Sequence, residues 1–418
     1  MAVSDTIVGA VIAVALGGLA MAPAAAFGWR RDALQPPVSA IIRRAVAPKI
    51  VQTPKVSLLQ DGELAVILTH NNYASDAVVS AVELESFVSR DGGSTWERRQ
   101  PTSPDWPPIL HNYPSPPLRL KDGTLIAIGS RAWENFPDTP QTRQRLAERG
   151  FYLFTHEEGN APGVVSIIHR VWMRRSNDAG KTWQESGVEL PSAMPHLALY
   201  GDATLLRDGT IVQPAWGRFD LRRAPKHVSS LALHSEDGGA HWSISVIAKA
   251  RDFDFNETSI VETANGDLVA LMRIGGQREL WGALSHDGGK TWSEPRDTAL
   301  LGSTPWLVMA TDGVIVAVYV RRGTHAGAGA FARTGIFACV SRDHGRTWDA
   351  RNQSMLVDCG TEVVDGYPSS AALPDGAVYT VYGFHGSSAI GGTRFRARGP
   401  QSEVRSTTNA PRMTSQRP

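Results

Sequence analysis

Only two cysteines, Cys339 and Cys359, occur in 418 residues, too few for a disulfide framework. Their spacing matches no zinc motif, so two unpaired thiols are expected. Charge bias is missing as well: 42 Lys and Arg stand against 41 Asp and Glu, which leaves no basic stripe for nucleic acid. His70, His111 and His385 fall near expected strand ends or rims, but no spacing assembles a metal site. The glycine-rich run 323–329 lacks the Lys-Ser/Thr of a phosphate loop and reads as a flexible connection. One long apolar run exists, Ile7 to Ala20, followed by Ala24-Ala25-Ala26. It has the core and the small-residue cleavage site of an export signal, although Met1 to Thr6 offers Asp5 and no Lys or Arg. An uncleaved anchor is the competing reading, because 7–27 is nearly long enough to span a bilayer and Arg30-Arg31 follows. Residues 1–26 are read as the export signal, with a secreted, periplasmic or cell-surface location. Membrane contact follows only if the segment stays uncleaved.

What the chain has in abundance is one eight-residue phrase, used five times. It reads Ser89-Arg-Asp91-Gly-Gly93-Ser-Thr95-Trp96, then Ser176-Asn-Asp178-Ala-Gly180-Lys-Thr182-Trp183. It returns as Ser235-Glu-Asp237-Gly-Gly239-Ala-His241-Trp242, Ser285-His-Asp287-Gly-Gly289-Lys-Thr291-Trp292 and Ser341-Arg-Asp343-His-Gly345-Arg-Thr347-Trp348. Each copy has the chemistry of a tight turn: an Asp that caps following amides, a Gly for positive φ, and an aromatic anchor. The copies recur 50 to 87 residues apart, a period read as a propeller, a solenoid or an array.

A second phrase precedes each of these turns: an apolar strand, Asp-Gly or Asn-Gly, then another apolar strand. It is centred on Asp61-Gly62, Asp122-Gly123, Asp208-Gly209, Asn265-Gly266, Asp312-Gly313 and Asp375-Gly376. Such dipeptides between apolar runs predict hairpins. Six hairpins predict six blades, starting near Gln52, Asn112, Tyr200, Glu257, Thr304 and Tyr367. The fold class expected is therefore all-β, a single six-bladed β-propeller of four-stranded antiparallel blades over 38–398. The hairpin would join the two inner strands of a blade and the repeated turn the two outer ones. Blade six has no copy of the turn, so Val38 to Val46 is expected to complete it and leave no open sheet edge. Residues 132–163 form an insertion in blade two, with a short helix predicted over 141–149. That insertion is either a surface decoration or a rim over a pocket. Residues 399–418 are read as a disordered tail.

The repeated turn is the Asp box, and the chain resembles the sialidase (neuraminidase) superfamily of β-propellers. The resemblance implies an exo-glycosidase that removes a terminal sialic acid, or a related acidic sugar, from glycoconjugates with retention. In that family a tyrosine activated by a glutamate is the nucleophile, because a carboxylate would be repelled by the substrate's own carboxylate, and an aspartate is the acid/base. Three arginines hold the substrate carboxylate. Asn256-Glu257 and Met272-Arg273 match the family stretch in which Asn-Glu opens a strand and an Arg ends its partner, so Glu257 is implied as the base and Arg273 as the second arginine. Gly366-Tyr367-Pro368 matches the nucleophile strand and implies Tyr367. Asp76 falls in the loop of the acid/base. Arg333, eight residues before Ser341, suits the third arginine, with Arg322 as the runner-up.

The match breaks at the first arginine. Where the family has Arg-Ile-Pro, this chain has Gln52-Thr53-Pro54, and Lys55 is placed on the other face by strand alternation. Losing a charged bidentate donor should cost roughly 1.5–3 kcal/mol of carboxylate binding. The alternatives are a glycosidase for another sugar and a non-catalytic glycan- or protein-binding propeller. Trp106, Trp133 and Trp216 could offer stacking faces for sugar or simply fill blades. No cofactor is implied, and the expected partner is a glycan substrate.

Overall fold

The computed structural model describes residues 38–44, 50–59, 62–71, 83–99, 116–131, 134–148, 153, 155–158, 161–167, 170–188, 196–219, 227–249, 252–275, 279–310, 313–322, 324–325, 329–330, 334–360, 366–384 and 389–397. The segments read as an export signal and as a tail lie outside these. Six antiparallel sheets follow one another along the chain. Blade one is Ile50–Leu58, Leu64–Asn71, Glu83–Ser89 and Glu97–Arg99, and blade two is Leu118–Arg119, Leu125–Arg131, Arg170–Ser176 and Gln184–Gly187. Blade three uses His196–Leu199 and Thr204–Leu205 as a split inner strand, then Ile211–Arg218, Ser229–Ser235 and Ser243–Ala248. Blade four is Phe255–Glu262, Leu268–Ile274, Glu279–Ser285 and Arg296–Leu301. Blade five is Ser303–Met309, Ile315–Arg321, Thr334–Ser341 and Ser354–Gly360. Blade six is Gly366–Ala372, Ala377–Phe384 and Ala389–Arg396, closed by Val38–Arg44 from the other end of the chain.

The hairpin glycines do what their sequence context demands. Gly62, Gly209 and Gly376 take φ of 84°, 101° and 81°, and each donates its amide to the carbonyl three residues back. The Asp box closes on itself in the same local way. In blade two Asp178 Oδ1 accepts from Ser176 Oγ at 2.7 Å and from the Thr182 amide at 2.9 Å, while Oδ2 accepts from Thr182 Oγ1 at 2.6 Å. The tryptophan then folds back, its Nε1 donating to Gly180 O at 3.0 Å. His241 replaces the threonine in blade three and keeps the contact through Nδ1, 2.6 Å from Asp237 Oδ2.

The boxes also join blades. The glycine at the fifth position of a box lies against the preceding blade so closely that a Cβ would collide with it. Gly345 of blade five meets Val269 of blade four, Gly289 of blade four meets His234 of blade three, and Gly239 of blade three meets Met173 of blade two. Gly93 of blade one meets Tyr379 of blade six, which extends the pattern across the point where the ring closes. The apolar core follows the same rule. Val316, Val318 and Ile336 of blade five pack with Val378, Tyr382 and Phe395 of blade six, and Val269 and Leu271 of blade four pack with Ile315 and Phe337 of blade five. The core is thus a ring of layers between neighbouring sheets rather than a single centre.

The insertion in blade two carries a small hairpin, Glu134–Pro137 with Val164–Ile167, and the helix Pro140–Glu148. Leu146 and Val165 form its own minor core with Phe136 and Leu153. Cys339 and Cys359 are buried and are not joined in a disulfide, and burial pushes the Cys339 thiol up to about 12. Among the described residues no helix is long and apolar enough to cross a membrane.

Candidate functional site

The heads of the inner strands are irregular in four blades. Register slips by one residue between Gln52 and Lys55, between Asn256 and Ser259, between Ser303 and Trp306, and between Gly366 and Ser369. In blades four, five and six the first residue of the bulge is a non-glycine with positive φ: Glu257 at 43°, Thr304 at 48° and Tyr367 at 42°. Left-handed backbone costs about 1–3 kcal/mol for such residues and tends to persist where a site requires it. Each stands eight residues before the Asn265, Asp312 or Asp375 of its hairpin turn. The repeat therefore presents one side chain per blade from the same height.

Two of these side chains meet. Tyr367 Oη donates to Glu257 Oε1 at 3.0 Å, across 110 positions of sequence. The other oxygen of the same carboxylate accepts from Arg273 Nη1 at 2.9 Å. Asn256 pairs with Arg273 in the blade-four register, so a single hairpin holds the glutamate and its arginine side by side. Gly366 makes the approach from blade six tight, since a Cβ there would fall 2.7 Å from the Val320 side chain. The Arg322 guanidinium stands 5.1 Å above the Tyr367 ring.

The electrostatics follow from this crowding. The negative charge of Glu257 pushes the Tyr367 phenol above its ordinary pKa and burial adds to the push, while Arg322 and Arg273 pull the other way. The phenol therefore keeps its proton at neutral pH and holds it towards the carboxylate beside it. Glu257 in turn raises the pKa of Arg273, which is cationic throughout.

The expected residues divide clearly. Glu257, Tyr367, Arg273 and Arg322 come together. Asp76 and Arg333 lie outside the described residues, as do Trp106, Trp133, His111, His385 and the side chains of Gln52 and His70. Trp216 is half-buried in the second strand of blade three. Lys55 departs from the strict alternation expected of it, because the bulge between Gln52 and Lys55 interrupts the two-residue period. Its ammonium is buried at the centre of the ring, 3.9 Å over the Trp306 ring.

Tyr200 escaped notice as a site residue. Its ring is edge-on to Tyr367, with centroids 6.0 Å apart, and burial pushes its pKa well above the ordinary value, with the Glu257 charge acting in the same direction. The signal that finds it is present in the sequence: Tyr200 stands eight residues before Asp208, as Glu257 does before Asn265 and Tyr367 before Asp375. Among the described residues, no group of three or more His, Cys, Asp or Glu is arranged to hold a metal ion.

Comparison with known proteins agrees with this architecture. Residues 150–380 match the family described as BNR repeat-like domain. A structure of unknown function from Dyadobacter fermentans superposes with a TM-score of 0.67 at 21% identity, covering 88% of this chain and all of that one. A variant of the NanB sialidase from Streptococcus pneumoniae superposes at 0.55 with 11% identity, over 85% of this chain and 70% of that one. A leech intramolecular trans-sialidase complexed with 2,7-anhydro-Neu5Ac reaches 0.54 at 15% identity, over 86% and 70%. No curated protein matches the chain. With more than half its length matched and six blades in a closed ring, the chain belongs to the BNR repeat-like family and carries the β-propeller fold of the sialidases.

Proposed function

We propose that this protein is an exo-glycosidase that removes a terminal acidic sugar, sialic acid first among the candidates, from glycoconjugates with retention of configuration. The observation that carries the reading is the 3.0 Å hydrogen bond from Tyr367 to Glu257, with Arg273 holding the far oxygen of the same carboxylate. That is the arrangement an aryl nucleophile needs: a base in contact, and cations to stabilise phenolate and substrate carboxylate alike. In the first half-reaction Glu257 takes the phenolic proton as Tyr367 Oη bonds to the anomeric carbon. The bond to the leaving oxygen breaks, and Asp76 protonates that oxygen. In the second, Asp76 takes a proton from water as the water displaces the tyrosine, and Glu257 returns its proton to the phenolate. Two inversions at one carbon leave the configuration unchanged.

Arg273 and Arg322 are the cations proposed to bind the sugar carboxylate, with Arg333 as a further candidate. Gln52 in place of the first arginine favours a second reading, in which the acidic sugar is a uronic acid or the sugar is neutral. An export signal at 1–26 would put the enzyme where extracellular glycans are found. Hydrolysis of aryl glycosides of sialic acid, uronic acids and neutral sugars by wild type and Tyr367→Phe tests these readings. Sialoside turnover that disappears with the hydroxyl supports the first. Turnover confined to another glycoside moves the assignment to the second. Binding of a glycan without turnover of any would make the ring a recognition module.

A further inference from the structure

Two residues beyond the positions that stand eight before the hairpin turns lies a second set of side chains. In blades four and six these are Ser259 and Ser369, whose hydroxyls accept from the backbone amides of Leu307 in blade five and Val56 in blade one. These are short ties between neighbours. Blades one, three and five put Lys55, Asp202 and Trp306 at the same position, and their contacts cross the ring.

Lys55 is 4% exposed. Its Nζ donates to the Tyr200 carbonyl at 2.9 Å, pairs with Asp202 Oδ1 at 3.3 Å, and sits 3.9 Å from the centroid of the Trp306 ring. Trp306 is itself held, its Nε1 donating to Ser370 O at 3.2 Å. A buried ammonium is retained only where its lost hydration is replaced. Here a carbonyl, a carboxylate and an indole face replace it from blades three and five.

Tyr200 is the link upward. Its carbonyl accepts from Lys55, its ring is edge-on to Trp306 with centroids 6.0 Å apart, and it is also edge-on to Tyr367 at the same separation. Gly201 keeps the following residue close to blade four, since a Cβ there would lie 2.6 Å from Thr258 O. With its main chain and one ring edge held, Tyr200 forms a fixed wall against the phenol. We infer that Lys55, anchored by Asp202 and capped by Trp306, is a positioning residue that acts through Tyr200 to hold the Tyr367 ring in the orientation that keeps its hydroxyl on Glu257. The inference rests on Tyr367 being the reacting phenol.

The placement can be read without any substrate. In protein labelled with 3-fluorotyrosine, the Tyr367 and Tyr200 resonances are assigned by their loss in Tyr367→Phe and Tyr200→Phe. Lys55→Met combined with Asp202→Asn removes the ammonium without stranding a carboxylate. The Tyr367 resonance is then expected to shift or split, while that of Tyr379, packed against Trp96 in the outer part of blades six and one, stays in place. The milder Asp202→Asn, at a position 23% exposed, serves the same readout should the double variant not fold and is expected to move the Tyr367 resonance in the same direction. An unchanged Tyr367 resonance in a folded variant, even one of lower Tm, overturns the inference and leaves Lys55 a brace of the core. On the substrate that wild type hydrolyses, kcat should fall about tenfold or more with KM little changed, as expected when geometry rather than binding is lost. An equal loss from Lys55→Met in a Tyr200→Leu background would also overturn it, because a residue acting through Tyr200 must be coupled to it. Wild type inert on every glycoside would defeat the catalytic reading, while the resonance experiment would still decide the placement.

Discussion

The turns between the outer strands and the heads of the inner strands are both built by repetition, yet they use it in opposite ways. At the outer turns the same phrase is written five times, and in each copy the Asp is held by the Ser two residues before it and by the Thr or His four residues after it. At the inner heads the side chain changes: Tyr200, Glu257, Thr304 and Tyr367 stand eight residues before the hairpin turns of blades three to six, with left-handed backbone at the last three. Constancy at the outer turns serves the fold, because every blade needs the same closure. Variety at the heads is what the proposed chemistry requires, because a site needs unlike groups pointed at one place.

The sharpest way to break this comparison is at the heads. Tyr367→Phe removes a single oxygen and should lower kcat/KM by about 10³-fold or more, with Tm almost unchanged. Comparable turnover by that variant would show that the head of blade six is not where the reaction occurs. Glu257→Gln keeps the shape of the carboxylate but removes the base. It should cost about 10²–10³-fold in kcat, measured on an activated aryl glycoside so that leaving-group protonation does not limit the rate.

Substitution at the outer turns should affect stability and leave function alone. Gly345→Ala adds a Cβ 2.5 Å from the Val269 side chain at φ of 79°, so overpacking and backbone strain combine, and about 2–4 kcal/mol of stability should be lost. Gly62→Ala has the same backbone demand, φ of 84°, but open space around it, and should lose only about 1 kcal/mol. Urea midpoints at constant m measure both, and equal losses would mean that contact between blades adds nothing at the box. Gln52→Arg should tighten binding of a carboxylated sugar about ten- to a hundredfold without affecting a neutral one, by calorimetric titration. An unchanged affinity would remove position 52 from the site.

The smallest effect concerns pH. The Thr182 hydroxyl and amide hold Asp178 at about 2, below its ordinary 3.8. A depressed folded-state pKa makes the contribution complete above 3.8 and lost as pH falls towards 2. Asp178→Asn should therefore lower stability by a constant amount above about pH 4, with the loss shrinking as pH falls towards 2. A loss that is absent at neutral pH, or undiminished at about pH 2, would contradict the assignment.

Much of the ring was legible in the text of the chain because its signals are local. Asp-Gly and Asn-Gly specify a hairpin by φ alone, and the Asp of each box finds its hydrogen-bond partners within the same eight residues. Glu257, Arg273 and Tyr367 were legible through their resemblance to a known pattern. Lys55 was misjudged because alternation along a strand holds only while the register holds, and a bulge intervenes. Tyr200 could have been found by counting back from its turn, but nothing in its neighbours marks it as chemical.

What the chain determines by itself is the number of blades, the place of each turn and the residue offered at each inner head. These depend on φ preferences, alternation and hydrogen bonds that span a few positions. Tertiary structure alone decided that Tyr367 reaches Glu257, that Lys55 spans to Asp202 and Trp306, and that Val38–Arg44 closes the ring. Those contacts join residues from 110 to more than 350 positions apart. They exist only because six twisted sheets, packed face to face, return the chain to its starting edge and bring the inner strands around one axis.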